Sequence, residues 1–375
     1  MSEYQYYEFL ALDGPISDEG LHYARGCSSR ATVSRFRWQN VYHFGDFHGS
    51  AEKLLTYYDA HLYTANWGTV RLGLSFPEGC LPPEAVQPYL RGGERYEDTL
   101  TVKEVGNRCI FWWELNEEGG WGHTEGEGLL DELVGLREEL MGGDYRALFL
   151  GWLAGFDADE WRDSKDRTVV LPPVPAGLNR LSPALVALVQ HFQVDRDALA
   201  VAAELTADRP PTSTSIAAAL EGLPVPQMQS LLKRVAEGDG AMVMSELKRL
   251  TKQAPTTPVG PDMSCTDFAA RIVDARQARR IQEAEATAAK TKKEAETRRQ
   301  RLATVMERAD SIWAGLDHLM DLKIASAYEQ ATAQLQELRD AHQDAGEHSK
   351  FQRRLTIFRE QYARRPAMLR RIEKL

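Results

Sequence analysis

The chain has 375 residues, 43% apolar and 27% charged, the balance of a globular protein with room for two or three domains. Its net charge of −10 is unevenly placed: residues 1–160 sum to −15, 161–260 to +1 and 261–375 to +4. Four scattered cysteines without a C-x-x-C pair argue against a zinc finger or a disulfide framework. The longest apolar run, "ALFLGWLAGF" at 147–156, falls well short of the roughly 20 residues a bilayer span needs.

The opening "MSEYQYYEFL" has no basic region leading into an apolar run, so a cytoplasmic location and no membrane contact are expected. Residues 3–12 are aromatic-rich and predict a strand, "DGP" a turn, and Ser17 the cap of a short helix from Asp18. Residues 30–44 alternate as one long strand, and Ser50 caps "AEKLLTYY". Strands are predicted at 60–67 and 69–76 around Gly68, and at 96–105 and 108–115 around Gly106-Asn107, a pair that tolerates positive φ in a hairpin turn. In "RCIFWWEL", Phe111 and Trp113 share one face and Ile110 and Trp112 the other, as in a central strand covered on both sides. A short helix is expected in "PPEAVQPYL", and two helices at about 128–141 and 143–156. The order predicts an α+β domain over 1–157 with a mixed, largely antiparallel sheet.

A charged, then proline-rich stretch at 158–180 reads as a linker, 181–252 as an all-α middle domain with caps at Asp195 and Ser213, and 253–266 as a second linker. Residues 267–375 read as a long coiled-coil-like helix with a C-terminal helical hairpin. Ile281, Ala284, Ala288, Thr291, Ala295, Arg298, Leu302, Val305, Ala309, Ile312, Leu316 and Leu319 recur at 3,4 spacing, a heptad seam. Its apolar part is 302–319, with Trp313 beside it. Tyr328, Ala331, Leu335 and Leu338 continue the spacing on a new helix, and Phe351, Leu355, Phe358 and Tyr362 on another, before a last short helix in "RPAMLRRIEKL".

The stretch "HFGDFHGSAEKLL" has the Gly-Asp-x-His-Gly turn with which metallophosphoesterases open a two-metal site. Such sites need several convergent Asp, His and Asn ligands. Asp46, His48, Asp59 and His61 are the weak candidates; the second Gly-Asp loop is missing, and Arg108 replaces the histidine of Gly-Asn-His. The expectation is therefore a turn before a capped helix, with no metal and no cofactor. The glycine- and glutamate-rich loop at 116–128 reads as a surface connection, with Trp121 a candidate contact at its tip. No phosphate-binding glycine loop and no nucleophile elbow is present.

The basic runs at 275–280 and 290–301 read as a solvated helix face in which Glu283, Glu285, Glu294 and Glu296 serve as i,i+4 partners. The last 26 residues carry nine basic and two acidic side chains. Arg353, Arg354, Arg364, Arg365, Arg370 and Arg371 are the candidates there for nucleic acid or an acidic protein face.

Three segments, "MSEYQYYEFLALD", "YDAHLYTANWG" and "GDYRALFLGWL", resemble a group of uncharacterised bacterial proteins. The C-terminal stretch from "AYEQATAQLQELRDAHQDAG" onward is similar to the end of bacterial SWIM zinc-finger proteins, although the finger's C-x-C…C-x-H pattern is absent. The resemblance implies a bacterial cytoplasmic protein whose tail is a reusable interaction module, and brings no activity with it. The expected function is a non-enzymatic assembly or adaptor protein. It would dock a protein partner or a second copy through Leu302, Val305, Ile312, Trp313, Leu316 and Leu319. The alternatives are a nucleic-acid-associated accessory in repair or phage defence, using the basic tail, and a metal-dependent phosphohydrolase at Asp46 and His48.

Overall fold

The computed structural model describes residues 3–90, 99–116, 126–206, 220–238, 240, 243–244, 246–247 and 263–375. It is an α+β protein dividing into two compact units, Met1–Gln277 and Ala278–Leu375. The predicted Ser213 cap and the Trp121 contact lie outside the described residues.

The first unit is built on a seven-stranded sheet in the order β2-β3-β1-β4-β5-β7-β6, with every neighbouring pair antiparallel. Its strands are β1 (Gln5–Leu10), β2 (Thr32–Val33), β3 (Arg37–Tyr42), β4 (Ala60–Ala65), β5 (Thr69–Pro77), β6 (Leu100–Val105) and β7 (Arg108–Asn116). The long strand expected at 30–44 is instead a hairpin. The Ser34 hydroxyl accepts from the backbone N–H of Phe36 and Arg37, a local bond that folds the chain back between β2 and β3. The β4–β5 and β6–β7 hairpins form as predicted, with Gly68 and Gly106 at positive φ. Asn107 does not take positive φ, so the Gly106-Asn107 turn uses its glycine first, the type II′ arrangement.

Both faces of this sheet are covered. Helices α1 (Asp18–Gly26, capped by Ser17) and α2 (Ala51–Leu54, capped by Ser50) pack with Phe9, Trp38, Ile110 and Trp112 on one side. On the other side, Leu62, Leu72, Leu74, Phe111 and Trp113 meet a thicker helical layer. That layer holds α3 (Pro83–Val86), α4 (Leu129–Leu133), α5 (Gly135–Met141), α6 (Arg146–Ala154), α7 (Ala158–Arg162), α8 (Pro183–His191) and α9 (Arg196–Glu204). Each tryptophan of β7 takes its space from a glycine. A Cβ on Gly73 would lie 2.7 Å from the Trp112 ring, and one on Gly151 of α6 would lie 2.5 Å from Trp113 Nε1.

The separate middle domain expected at 181–252 is not what forms at its start. Helices α8 and α9 place Leu185, Leu188, Val201 and Ala202 in the same core as the sheet, because a sheet face this apolar needs more cover than α4–α6 supply. The stretch read as a linker at 158–180 belongs there too: Leu171, Val174 and Leu178 are buried, and residues 169–171 pair with 263–265 through the Val170–Ser264 bridge. Helix α10 (Val225–Ala236) instead contributes Leu231 to a small cluster with Val243 and Leu247.

Helix α11 (Cys265–Glu307) contributes to both units. In the first, Cys265, Phe268, Ala269 and Ile272 enter the sheet-covering core. The second unit holds the remainder of α11 with α12 (Ala309–Leu322), α13 (Ala325–Asp344), α14 (His348–Gln361) and α15 (Pro366–Arg371). Lys323 at φ 58° and Gly346 at φ 72° make the two hairpin turns. Leu316, Leu335, Leu338, Phe351, Leu355 and Met368 form the centre of this unit's core. The helical hairpins expected from the 3,4 spacing are therefore present.

Candidate interaction surface

Three of the four residues put forward as metal ligands, Asp46, Asp59 and His61, have other partners. The 43–49 turn is not a strand: Phe47 is its inward residue, 5.0 Å from Tyr7 and 5.4 Å from Trp38 between ring centroids, while Asp46 and His48 on either side are exposed. Asp46 accepts from Gln5 Nε2 at 3.0 Å, and Ser50 then caps α2. Asp59 accepts from the backbone N–H groups of Leu12 and Asp13 at 2.7 and 3.0 Å and pairs with Arg108 and Arg137. Burial pushes its carboxyl up, but the two arginines and the backbone donors outweigh this and hold it below the usual carboxylate range. Among the described residues, no three His, Cys, Asp or Glu side chains converge as a metal-binding set.

His61 is buried on β4, stacked on Phe9 at 4.1 Å, with Nδ1 2.9 Å from the Glu8 carbonyl. Nδ1 carries the proton in that bond, since the carbonyl can only accept. Burial drives the ring's pKa down to about 3, against its ordinary value of 6.5. The unfolded chain therefore binds a proton below pH 6.5 that the folded chain refuses, and stability is lost as pH falls through that window. Between pH 6.5 and 4 this amounts to on the order of 3 kcal/mol. Denaturant titrations across that range should show a smaller acid loss for His61→Phe than for the native chain. Equal slopes would mean that His61 titrates normally.

The buried hub of the first unit was not visible in the sequence. Arg137 on α5 is 2% exposed. It donates through Nη1 and Nη2 to both Asp13 oxygens at 2.8 and 2.5 Å, through Nε to the Ser75 carbonyl at 2.9 Å, and through Nη2 to Asp59 at 3.4 Å.

In the second unit the predicted docking residues turn inward. Leu302, Trp313 and Leu316 are buried and Val305, Ile312 and Leu319 partly so, all but Leu302 in the cluster with α13–α15. The apolar half of the seam is thus closed on the unit's own helices, which stay at high effective concentration along one chain. What remains open is the other half. Every residue from Arg280 to Arg301 is exposed, on all sides of the helix. A shallow groove runs along the seam there, lined by Ala284, Thr287, Ala288, Thr291 and Ala295 with Glu283 and Lys292 at its margins. Such a stretch spans roughly 33 Å at about 1.5 Å per residue.

The basic tail divides. Arg354 pairs with Asp310 and lies over Trp313, and Arg371 pairs with Glu329. Arg353 donates to the Ser349 carbonyl. Among the described residues, Arg364, Arg365 and Arg370 form no ion pair. Among the described residues no helix is long and apolar enough to cross a membrane. Compared with protein-family models, with curated proteins and with solved structures, the chain finds no match in any of the three.

Proposed function

We propose that this is an assembly or adaptor protein that docks a protein through the exposed stretch of α11. The observation that carries the reading is the run from Arg280 to Arg301, exposed throughout, in which a heptad seam continues without a covering helix among the described residues. A helix that packs against nothing gains little from tertiary structure, and a sustained heptad spacing serves to bury one face against another helix. Sequence resemblance to a reusable C-terminal module points the same way.

Affinity capture with the full chain tests this. Proteins recovered from an extract of the source cells by the native chain should be lost with Ala288→Asp, which places a charge in the groove. They should be retained with Ala286→Asp, on the opposite side of the helix. Recovery unaffected by Ala288→Asp, or nothing recovered beyond the tag alone, would overturn the docking role.

A further inference from the structure

We propose that the occupant of this groove is a second copy of the same chain, lying parallel and in register over Arg280–Arg301; this rests on the docking role above and names its partner. The argument is one of charge. With Ile281, Ala288 and Ala295 as first seam positions and Ala284, Thr291 and Arg298 as the second, the residue before each first position faces the residue after the following second position of the other copy. In a parallel, in-register pair Arg280 meets Glu285 and Glu294 meets Arg299, each twice by symmetry, while Thr287 meets Lys292 without conflict.

Antiparallel registers match less well, because each sets like charges against its attractive pairs. Setting Ala288 against Thr291 brings Glu285 to Lys292 but also Arg280 to Arg301. Setting Ala284 against Ala288 brings Arg280 to Glu294 but also Glu285 to its own copy. Setting Thr291 against Ala295 brings Glu285 to Arg299 but also Lys292 to Lys292 and Glu294 to Glu294. Like charges so placed are destabilising, and the flanking positions of the parallel pair bring none together. The four residues that match in the parallel pair are also free to do so. Among the described residues the ion pairs along this stretch are Arg279 with Glu283, Arg298 with Asp340 and Arg301 with Glu337, which leave Arg280, Glu285, Glu294 and Arg299 unpaired.

The seam's alanines let two backbones approach closely, and Arg298, held by Asp340 at 3.5 Å, marks where the shared stretch gives way to the unit's own core. A strip roughly 33 Å long and one helix, about 10 Å, wide lies at the low end of interface size, so the pair forms and dissociates with concentration.

The test uses the full chain in three forms. Ala288→Cys and Ala295→Cys sit on the seam, where a parallel in-register pair places each residue beside itself. Ala286→Cys sits on the far side. Under mild oxidation the seam variants should form reducible dimers at least about tenfold faster than Ala286→Cys. Sedimentation of the native chain should move toward twice the chain mass as concentration rises. Glu294→Arg should suppress that association, and Glu294→Arg with Arg299→Glu should restore it. Equal cross-linking rates, a monomer at all concentrations, or no restoration by the charge swap would overturn the proposal. A monomer whose capture of other proteins still depends on Ala288 would sink self-association alone. Loss of both would sink the docking role with it.

Discussion

Replacing Arg137 with methionine lowers the stability of the first unit by about 3–5 kcal/mol, the cost of breaking ion pairs by removing their buried member. The guanidinium is 2% exposed and makes a bidentate pair with Asp13, a bond to the Ser75 carbonyl and a longer contact to Asp59. Methionine keeps an unbranched apolar stem but can donate to none of these. The loss should shrink in acid. Asp59 has a depressed folded pKa, so its contribution is present above its unfolded value near 3.8 and disappears as pH falls through the folded one. Urea titration followed by tryptophan fluorescence reads this unit well, since Trp313 is the sole tryptophan outside it. A variant within about 1 kcal/mol of the native chain at pH 7 would show that the network is worth little more than an apolar replacement, an outcome known for some buried ion pairs.

Phe351→Ala should cost about 3–5 kcal/mol and should do so in the second unit alone. Phe351 is fully buried, with its ring 6.0 Å from Trp313 and 5.8 Å from His342 between centroids. Truncation leaves a cavity among α12, α13 and α14 that a three-helix contact cannot close without separating its hairpins. Among the described residues, the buried clusters of the two units share no member. Hydrogen exchange on the full chain separates the two. Amides of 309–322, 325–344 and 348–361 should lose protection, while those of β1, β4, β5 and β7 keep theirs. Equal losses in both sets would mean that the units unfold as one.

The places where sequence reading succeeded are those where neighbours in the chain decide the outcome. Ser17, Ser50 and Asp195 cap their helices because a side-chain oxygen needs only the next two or three N–H groups. Gly68 and Gly106 turn their hairpins, and the 3,4 spacing of Leu335, Leu338, Phe351 and Leu355 places all four in a helical core. The errors have local causes as well: alternation across 30–44 concealed the Ser34 turn, because a hydroxyl bonding two residues ahead leaves the apolar pattern unchanged.

Period and capping residues, read along the chain, determined the α+β architecture, the double-faced character of "RCIFWWEL" and the existence of the heptad seam. Only the tertiary structure decided which half of that seam is used at home. The apolar half from Leu302 onward finds α13–α15 and is buried, whereas the alanine-rich half is covered by none of the described residues. Tertiary structure also decided that Asp59 joins an arginine hub. Asp13, Asp59, Ser75 and Arg137 are brought together by the pairing of β4 with β1 and β5 and by the packing of α5. No spacing in the sequence encodes that meeting, because contact between residues far apart in the chain depends on sheet register and helix packing, which local periodicity does not set.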